Sequence, residues 1–153
     1  MLIRAARTED AAAACQVLRR SIIELCHADH HGDPAILEKW LANKTSEFVA
    51  SWIDHSDNHV FAAVEANVVV GVAMINCRGE ILLNYVSPDA RFRGVSKALL
   101  ERLEATARTL GNAECTLTST VTAHRFYLAA GYRDRGSPPS GLGFATMVKR
   151  LVP

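Results

Sequence analysis

The 153-residue chain lacks the features that mark several specialised classes of protein. No uninterrupted apolar run approaches the roughly 18 residues of a membrane span, so we expect no membrane partner. The first residues, Met1-Leu2-Ile3-Arg4, enter strand-like sequence without the apolar region of a signal peptide, which predicts a cytoplasmic protein. The formal net charge is only +1, so we expect no nucleic-acid partner, and any anion site must be local.

The chain also lacks a CxxC pair, because its cysteines are scattered through apolar sequence at Cys15, Cys26, Cys77 and Cys115. This pattern favours reduced, buried thiols over a nucleophilic cysteine, for which no base is recognisable nearby. Cys26/His30 and His27/His31 have the i,i+4 spacing of helical metal ligands. The break at Gly32-Asp33-Pro34 favours a polar loop there instead, so we predict no metal.

The hydrophobic periodicity predicts a single α/β domain over residues 1–153. Strands are expected at residues 2–6, 60–65, 68–75, 80–86, 114–118 and 144–151. Helices are expected after Thr8, after Asp33-Pro34, after Thr45, from Gly94 and at residues 121–130, with a loop at residues 136–141. This order predicts a mixed, mostly antiparallel central sheet with helices on both faces.

The helix that begins at Gly94 is the most regular in the sequence. Its predicted inner face carries Val95, Leu99, Leu103, Ala107 and Leu110, and its outer face carries Lys97, Glu101, Glu104 and Arg108. Unpaired N–H groups at the helix start, with Arg91, Arg93 and Lys97 around them, suit a phosphate group. The alternative is an ordinary strand-to-helix turn with solvated charges.

Two motifs in this region resemble those of the GCN5-related N-acetyltransferases. The family signature Arg/Gln-x-x-Gly-x-Gly/Ala follows a strand ending in Val-x-Pro, and this chain has Val86-Ser87-Pro88 and then Arg91-Phe92-Arg93-Gly94-Val95-Ser96. A second family pattern, Ala-x-x-Phe-Tyr-x-x-x-Gly-Phe/Tyr, is similar to the segment from Ala123 to Tyr132. The chain departs from the family at Ser96, in place of Gly/Ala, and at Thr120, in place of a common asparagine.

The resemblance implies that the chain binds acetyl-CoA as acyl donor, without a metal. It implies that backbone amides of residues 92–97 hold the pyrophosphate and that the strand end at Tyr85 and Val86 pairs with the pantetheine arm. The implied CoA-binding residues are Tyr85, Val86, Arg91, Phe92, Arg93, Gly94, Val95, Ser96 and Lys97. The implied reaction is direct attack of a neutral amine on the thioester.

Two catalytic roles follow from the same resemblance. Tyr127 stands at the family's usual acid position, although it could also be a packed tyrosine on an apolar helix stripe. Glu80 precedes Gly94 by a spacing similar to that of the glutamate base in the histone-modifying branch. The alternatives for the base are Glu65, an ordered water, and a Glu80 that is simply solvated after the turn at Arg78-Gly79.

We therefore predict an N-acetyltransferase whose amine acceptor, a small molecule or a protein, is open. The alternatives are a catalytically weak or inactive CoA-binding or sensing module, which the departure at Ser96 would favour, and a scaffold for protein interaction. A homodimer could form through the C-terminal strand if that strand lies at an exposed sheet edge.

Overall fold

A computed structural model describes residues 1–136 and 144–152 of the chain. The described residues form seven strands, which are β1 (Leu2–Ala5), β2 (Asn58–Glu65), β3 (Val68–Asn76), β4 (Glu80–Val86), β5 (Glu114–Ser119), β6 (Arg133–Asp134) and β7 (Ala145–Arg150). They also form six α-helices, which are α1 (Ala11–Leu25), α2 (His27–His30), α3 (Pro34–Leu41), α4 (Ser46–Asp54), α5 (Val95–Thr109) and α6 (Val121–Ala129). None of these helices is long and apolar enough to cross a membrane.

The strands form one sheet in the order β1-β2-β3-β4-β5-β7-β6. All neighbouring strands are antiparallel except β4 and β5, which are parallel. One core cluster packs α5 and Tyr127 of α6 on one face, and the other packs α1 and Val49 of α4 on the opposite face. The expected mixed, mostly antiparallel sheet with helices on both faces is therefore confirmed.

The hairpin between β2 and β3 shows how local sequence sets the fold. Its turn residues, Ala66 and Asn67, have φ angles of 49° and 65°, which match the twist of a two-residue hairpin.

Three features were not predicted: the single turn of α2, the two-residue strand β6, and the position of β7. The C-terminal strand β7 lies between β5 and β6, so the expectation that it is an exposed sheet edge is wrong, while a homodimer stays a prediction. Most of the predicted loop at residues 136–141 lies outside the described residues.

Helix α5 packs tightly on the sheet because β3 carries a glycine beneath it. A Cβ atom at Gly71 would lie 2.7 Å from Val95 Cγ1 and 2.9 Å from Leu99 Cδ1. The inner face of α5 is buried as predicted, apart from Leu110, which is 40% exposed. Glu104, predicted on the outer face, is buried instead, and its carboxylate accepts hydrogen bonds from Tyr132 Oη at 2.8 Å and Lys149 Nζ at 3.1 Å.

Candidate active site

The parallel strands β4 and β5 pair only where they begin. Glu80 lies opposite Thr116 and Ile81 opposite Leu117, and beyond these positions the two strands separate. On its other side β4 stays paired with β3, except at Leu82, where a bulge interrupts the register. The edge of β4 that faces β5 therefore presents backbone N–H and C=O groups without a strand partner from Leu82 onward.

A cavity of about 430 Å³ occupies the space where the strands separate. Its walls are β4, β5, the beginning of α5, the inner side of α6 and the C-terminal end of α1. It brings together most of the sequence-predicted site residues, namely Tyr85, Val86, Arg91, Phe92, Gly94, Val95, Ser96, Lys97 and Tyr127. The motifs predicted from residues 80–132 thus meet at one place in the fold.

The loop before α5 turns the start of the helix toward this cavity. Gly94 is the N-cap of α5 with φ of 78°, a left-handed conformation that glycine adopts without the steric cost of a side chain. A Cβ atom at Gly94 would meet no protein atom within 4 Å, so the space beside it is open. The N–H groups of the first turn have no intrahelical acceptor and carry the positive end of the helix dipole.

The three cations of the motif differ in their surroundings. The Arg93 guanidinium is engaged by other groups, because Nη1 lies 3.1 Å from Glu65 Oε2 and Nη2 donates to the Asp89 carbonyl at 3.2 Å. Arg91 stacks its guanidinium over the Phe92 ring, 4.5 Å from the ring centroid. Arg91 and Lys97 both line the cavity, whereas Arg93 is not among its described lining residues.

Tyr127 reaches the cavity from α6 with its ring held by other aromatic side chains. Its ring centroid lies 5.1 Å from that of Phe126 and 5.5 Å from that of Tyr132, and its side chain is only 6% exposed. Burial raises the pKa of the Tyr127 phenol to about 12, and the neighbouring Asn84 side chain opposes this rise. The hydroxyl is therefore protonated at neutral pH and can act as a hydrogen-bond donor.

Asn84 is a cavity residue that was not predicted from the sequence. Its Nδ2 donates to the Ser96 carbonyl at 3.3 Å, which joins β4 to the first turn of α5. Its Oδ1 is buried and has no hydrogen-bond partner among the described residues. Since buried acceptors are rarely left unpaired in native proteins, Asn84 Oδ1 is suited to receive an N–H group from a bound ligand.

The two candidate carboxylate bases lie elsewhere. Glu80 begins β4, in the part still paired with β5, and its Oε1 accepts from Asn76 Nδ2 at 3.0 Å. Glu65 ends β2 and pairs with Arg93. Neither is among the described residues that line the cavity, so the structure does not bring either carboxylate beside Tyr127.

An acidic residue of α2 binds the first turn of α6, which forms part of the cavity wall. The Asp29 carboxylate accepts hydrogen bonds from the N–H groups of Val121 at 2.7 Å and Thr122 at 3.2 Å. Thr120 caps the same helix, because its Oγ1 accepts from Ala123 N–H at 3.1 Å. Beside this cap Cys26 lines the cavity, and burial raises the pKa of its thiol to about 12, so it is no thiolate nucleophile at neutral pH.

The histidine cluster after α1 has a structural role at His30. Its Nδ1 accepts from Gly32 N–H at 2.9 Å, so the proton must be on Nε2, which faces the Ile22 carbonyl at 3.0 Å. The residue is 1% exposed, and its ring thus satisfies a carbonyl at the end of α1. The described part of the chain contains no group of three or more His, Cys, Asp or Glu residues that could hold a metal ion.

Comparison with known proteins points to one family. A family model described as an acetyltransferase (GNAT) domain matches residues 27–151. The structure is similar to that of a GCN5-related N-acetyltransferase from Rhodopseudomonas palustris, described also as a class-II aminotransferase, with a TM-score of 0.85 and 26% identity over 98% of this chain and 95% of that one. It is also similar to the PaiA N-acetyltransferase of Thermoplasma acidophilum in complex with coenzyme A, with a TM-score of 0.83 and 21% identity over 98% of both chains.

A curated relative resembles part of the sequence more closely. Over 64 residues, or 42% of this chain, the sequence is 44% identical to an amino-acid acetyltransferase of Azotobacter vinelandii. The match spans only 13% of the length of that relative.

Proposed function

Because the chain belongs to the GNAT family of acetyltransferases, we propose that it is an N-acetyltransferase that transfers the acetyl group of acetyl-CoA to an amine by direct attack. The observation that carries this proposal is the cavity between the separating strands β4 and β5, which has an open helix start at one end and Tyr127 in its wall. In this proposal residues 1–153 form one acyl-CoA-binding domain.

The donor site is assigned to β4 and the beginning of α5. The N–H groups of residues 92–97 hold the pyrophosphate, with Arg91 and Lys97 supplying positive charge. The free backbone edge at Tyr85 and Val86 pairs with the amide groups of the pantetheine arm, as an additional strand would. Asn84 Oδ1, the unpaired acceptor, receives an N–H group of the same arm.

The transfer requires one bond to form and one to break at the thioester carbon. The neutral amine attacks this carbon, a C–N bond forms, and the C–S bond breaks to release CoA as a thiolate. Tyr127 donates a hydrogen bond to the developing thiolate sulfur. Since the phenol pKa is about 12 and an ordinary thiol has a pKa of about 8.5, Tyr127 stabilises the thiolate mainly by hydrogen bonding and water completes its protonation.

Water is our proposed acceptor of the amine's proton. Glu80 and Glu65 both lie outside the described cavity lining and are already bonded to Asn76 and Arg93. The ammonium form loses one proton to solvent before attack, and the amine nitrogen passes a second proton to water as the C–N bond forms, without a carboxylate in contact. The role that the family pattern assigns to Glu80 is tested directly by its replacement.

The acceptor is best sought among amino acids first, because the partial relative from Azotobacter vinelandii acts on that class by name. The experiment is an acceptor panel of amino acids, other small amines, and peptides with a free N-terminus or lysine, each incubated with acetyl-CoA. Free thiol and acetylated amine are measured together. We expect thiol release that depends on one class of amine and equals product formed; CoA binding without amine-dependent release would instead support a binding or sensing module.

A further inference from the structure

Phe92 is an unusually exposed aromatic residue in the loop before α5. Its side chain is 91% exposed, whereas the apolar neighbours Ala90 and Val95 are 0% and 2% exposed. The loop therefore buries the apolar side chains on either side and directs Phe92 outward. A phenylalanine in this position covers no apolar surface, so core packing does not account for it.

The backbone at Phe92 is also unfavourable for its residue type. Its φ is 62°, a left-handed conformation that bulky residues rarely adopt. The guanidinium of Arg91 covers one face of the ring at 4.5 Å from the centroid, and the exposure of the side chain leaves the other face open to solvent. The result is a flat, cation-backed aromatic surface two residues before Gly94.

We propose that the Arg91–Phe92 stack binds the adenine ring of acetyl-CoA on the open face of Phe92. This inference rests on the proposed function, because it requires the pyrophosphate at the start of α5. The adenosine of CoA is attached directly to that pyrophosphate, so its base must lie near the loop that holds the phosphates. Adenine is planar and stacks well on aromatic rings, and the arginine adds positive charge beside the nucleotide phosphates.

The test compares donors with and without the nucleotide. Affinities of CoA and of pantetheine, which lacks it, are measured by calorimetry, and kcat/KM is measured with acetyl-CoA and S-acetylpantetheine. For Phe92→Ala we expect CoA affinity to fall about five- to a hundredfold, the range of base stacking. The ratio of kcat/KM for acetyl-CoA to that for S-acetylpantetheine should fall by a similar factor. Phe92→Trp should restore most of both.

Two further variants show whether a loss of CoA affinity comes from the missing ring, from a changed backbone at residue 92, or from the loss of any exposed aromatic side chain. Phe92→Gly removes the ring and relieves the left-handed strain, so it should lose CoA affinity as Phe92→Ala does. Phe48→Ala removes another exposed aromatic side chain, 49% exposed on α4, and should leave CoA affinity unchanged.

The outcomes distinguish this inference from the proposed function. A wild-type protein that binds no CoA contradicts the proposed function itself. Wild-type CoA affinity in folded Phe92→Ala, or an equal loss of affinity for CoA and pantetheine, overturns only the adenine assignment. A loss of self-association in Phe92→Ala without a change in the donor ratio would identify the ring as a contact between copies of the chain and would also overturn it.

Discussion

Replacement of Tyr127 by phenylalanine tests the chemical role of the site with little change in structure. The ring packs against Phe126 and Tyr132 and is almost fully buried, so phenylalanine keeps these contacts and removes only the hydroxyl. The cost to stability should be no more than about 1 kcal/mol, the value of one ordinary hydrogen bond. The variant should therefore fold and bind CoA.

The expected effect on turnover is much larger than this effect on stability. A donor directed at a charge that develops in the transition state contributes roughly ten- to a thousandfold in kcat, or about 1.4–4 kcal/mol. Since the hydroxyl is proposed to contact the departing sulfur rather than the bound thioester, kcat should fall while KM for acetyl-CoA stays near the wild-type value.

The pH dependence follows from the raised pKa. Tyr127 donates when protonated, so its contribution is present below its pKa of about 12 and is lost only as the pH rises through that value. The wild-type rate should therefore show no alkaline limb near pH 10, where an ordinary tyrosine ionises. Steady-state rates at saturating amine from pH 7 to about 10.5 measure this directly.

Tyr132→Phe is the matched control for Tyr127→Phe. It removes a hydroxyl from the same aromatic stack, but that hydroxyl donates to Glu104 and Tyr132 is not among the described cavity residues. The control should lose stability, by roughly 1.5–3 kcal/mol for a bond to a charged group, and retain turnover. A folded Tyr127→Phe variant with wild-type kcat at every pH would refute the assignment of Tyr127.

Two further predictions concern the carboxylates Glu80 and Asp29. Glu80→Gln should change kcat less than about tenfold at any pH, and a loss of a hundredfold or more with normal acetyl-CoA affinity would restore Glu80 as the base. Asp29→Ala should lower stability by about 1–2 kcal/mol, because the first turn of α6 loses the hydrogen bonds that it donates to the Asp29 carboxylate. Asp33→Ala removes the cap of α3 and should lower stability to a similar extent; an unchanged melting temperature in Asp29→Ala would contradict the role of Asp29 in holding α6.

The sequence predicted best those parts of the site that lie on one continuous segment. The strand, turn and helix from residue 80 onward have strong local signals, and their ends differ from the structure by only one or two residues. Gly94 and Tyr127 were assigned to one acetyl-CoA site because each lies in a motif that resembles one of the family's motifs. The local sequence pattern was sufficient to predict where a residue lies when that position depends only on the residue's own helix or strand.

The positions that were not predicted depend on register and on distant contacts. The bulge at Leu82 shifts the pairing of β4 by one residue, so spacing from Gly94 does not reveal which side chains reach the cavity. Asn84 gained no signal from its sequence neighbours, since its partner Ser96 belongs to α5. Glu104 was expected on a solvated face because helical periodicity carries no information about Tyr132 and Lys149, which enclose it from other elements.

A calorimetric titration of CoA into Gly94→Glu tests whether the start of α5 holds the pyrophosphate. The glutamate side chain would project into the open space beside the start of α5 and place a negative charge where the phosphates are expected. Gly111→Glu is the control, because Gly111 follows the same helix at its other end, also has a positive φ, and also has open space at its Cβ position. We expect Gly94→Glu to stay folded and lose CoA binding while Gly111→Glu binds CoA as the wild type does; unchanged CoA affinity in Gly94→Glu would refute a phosphate site at the start of α5.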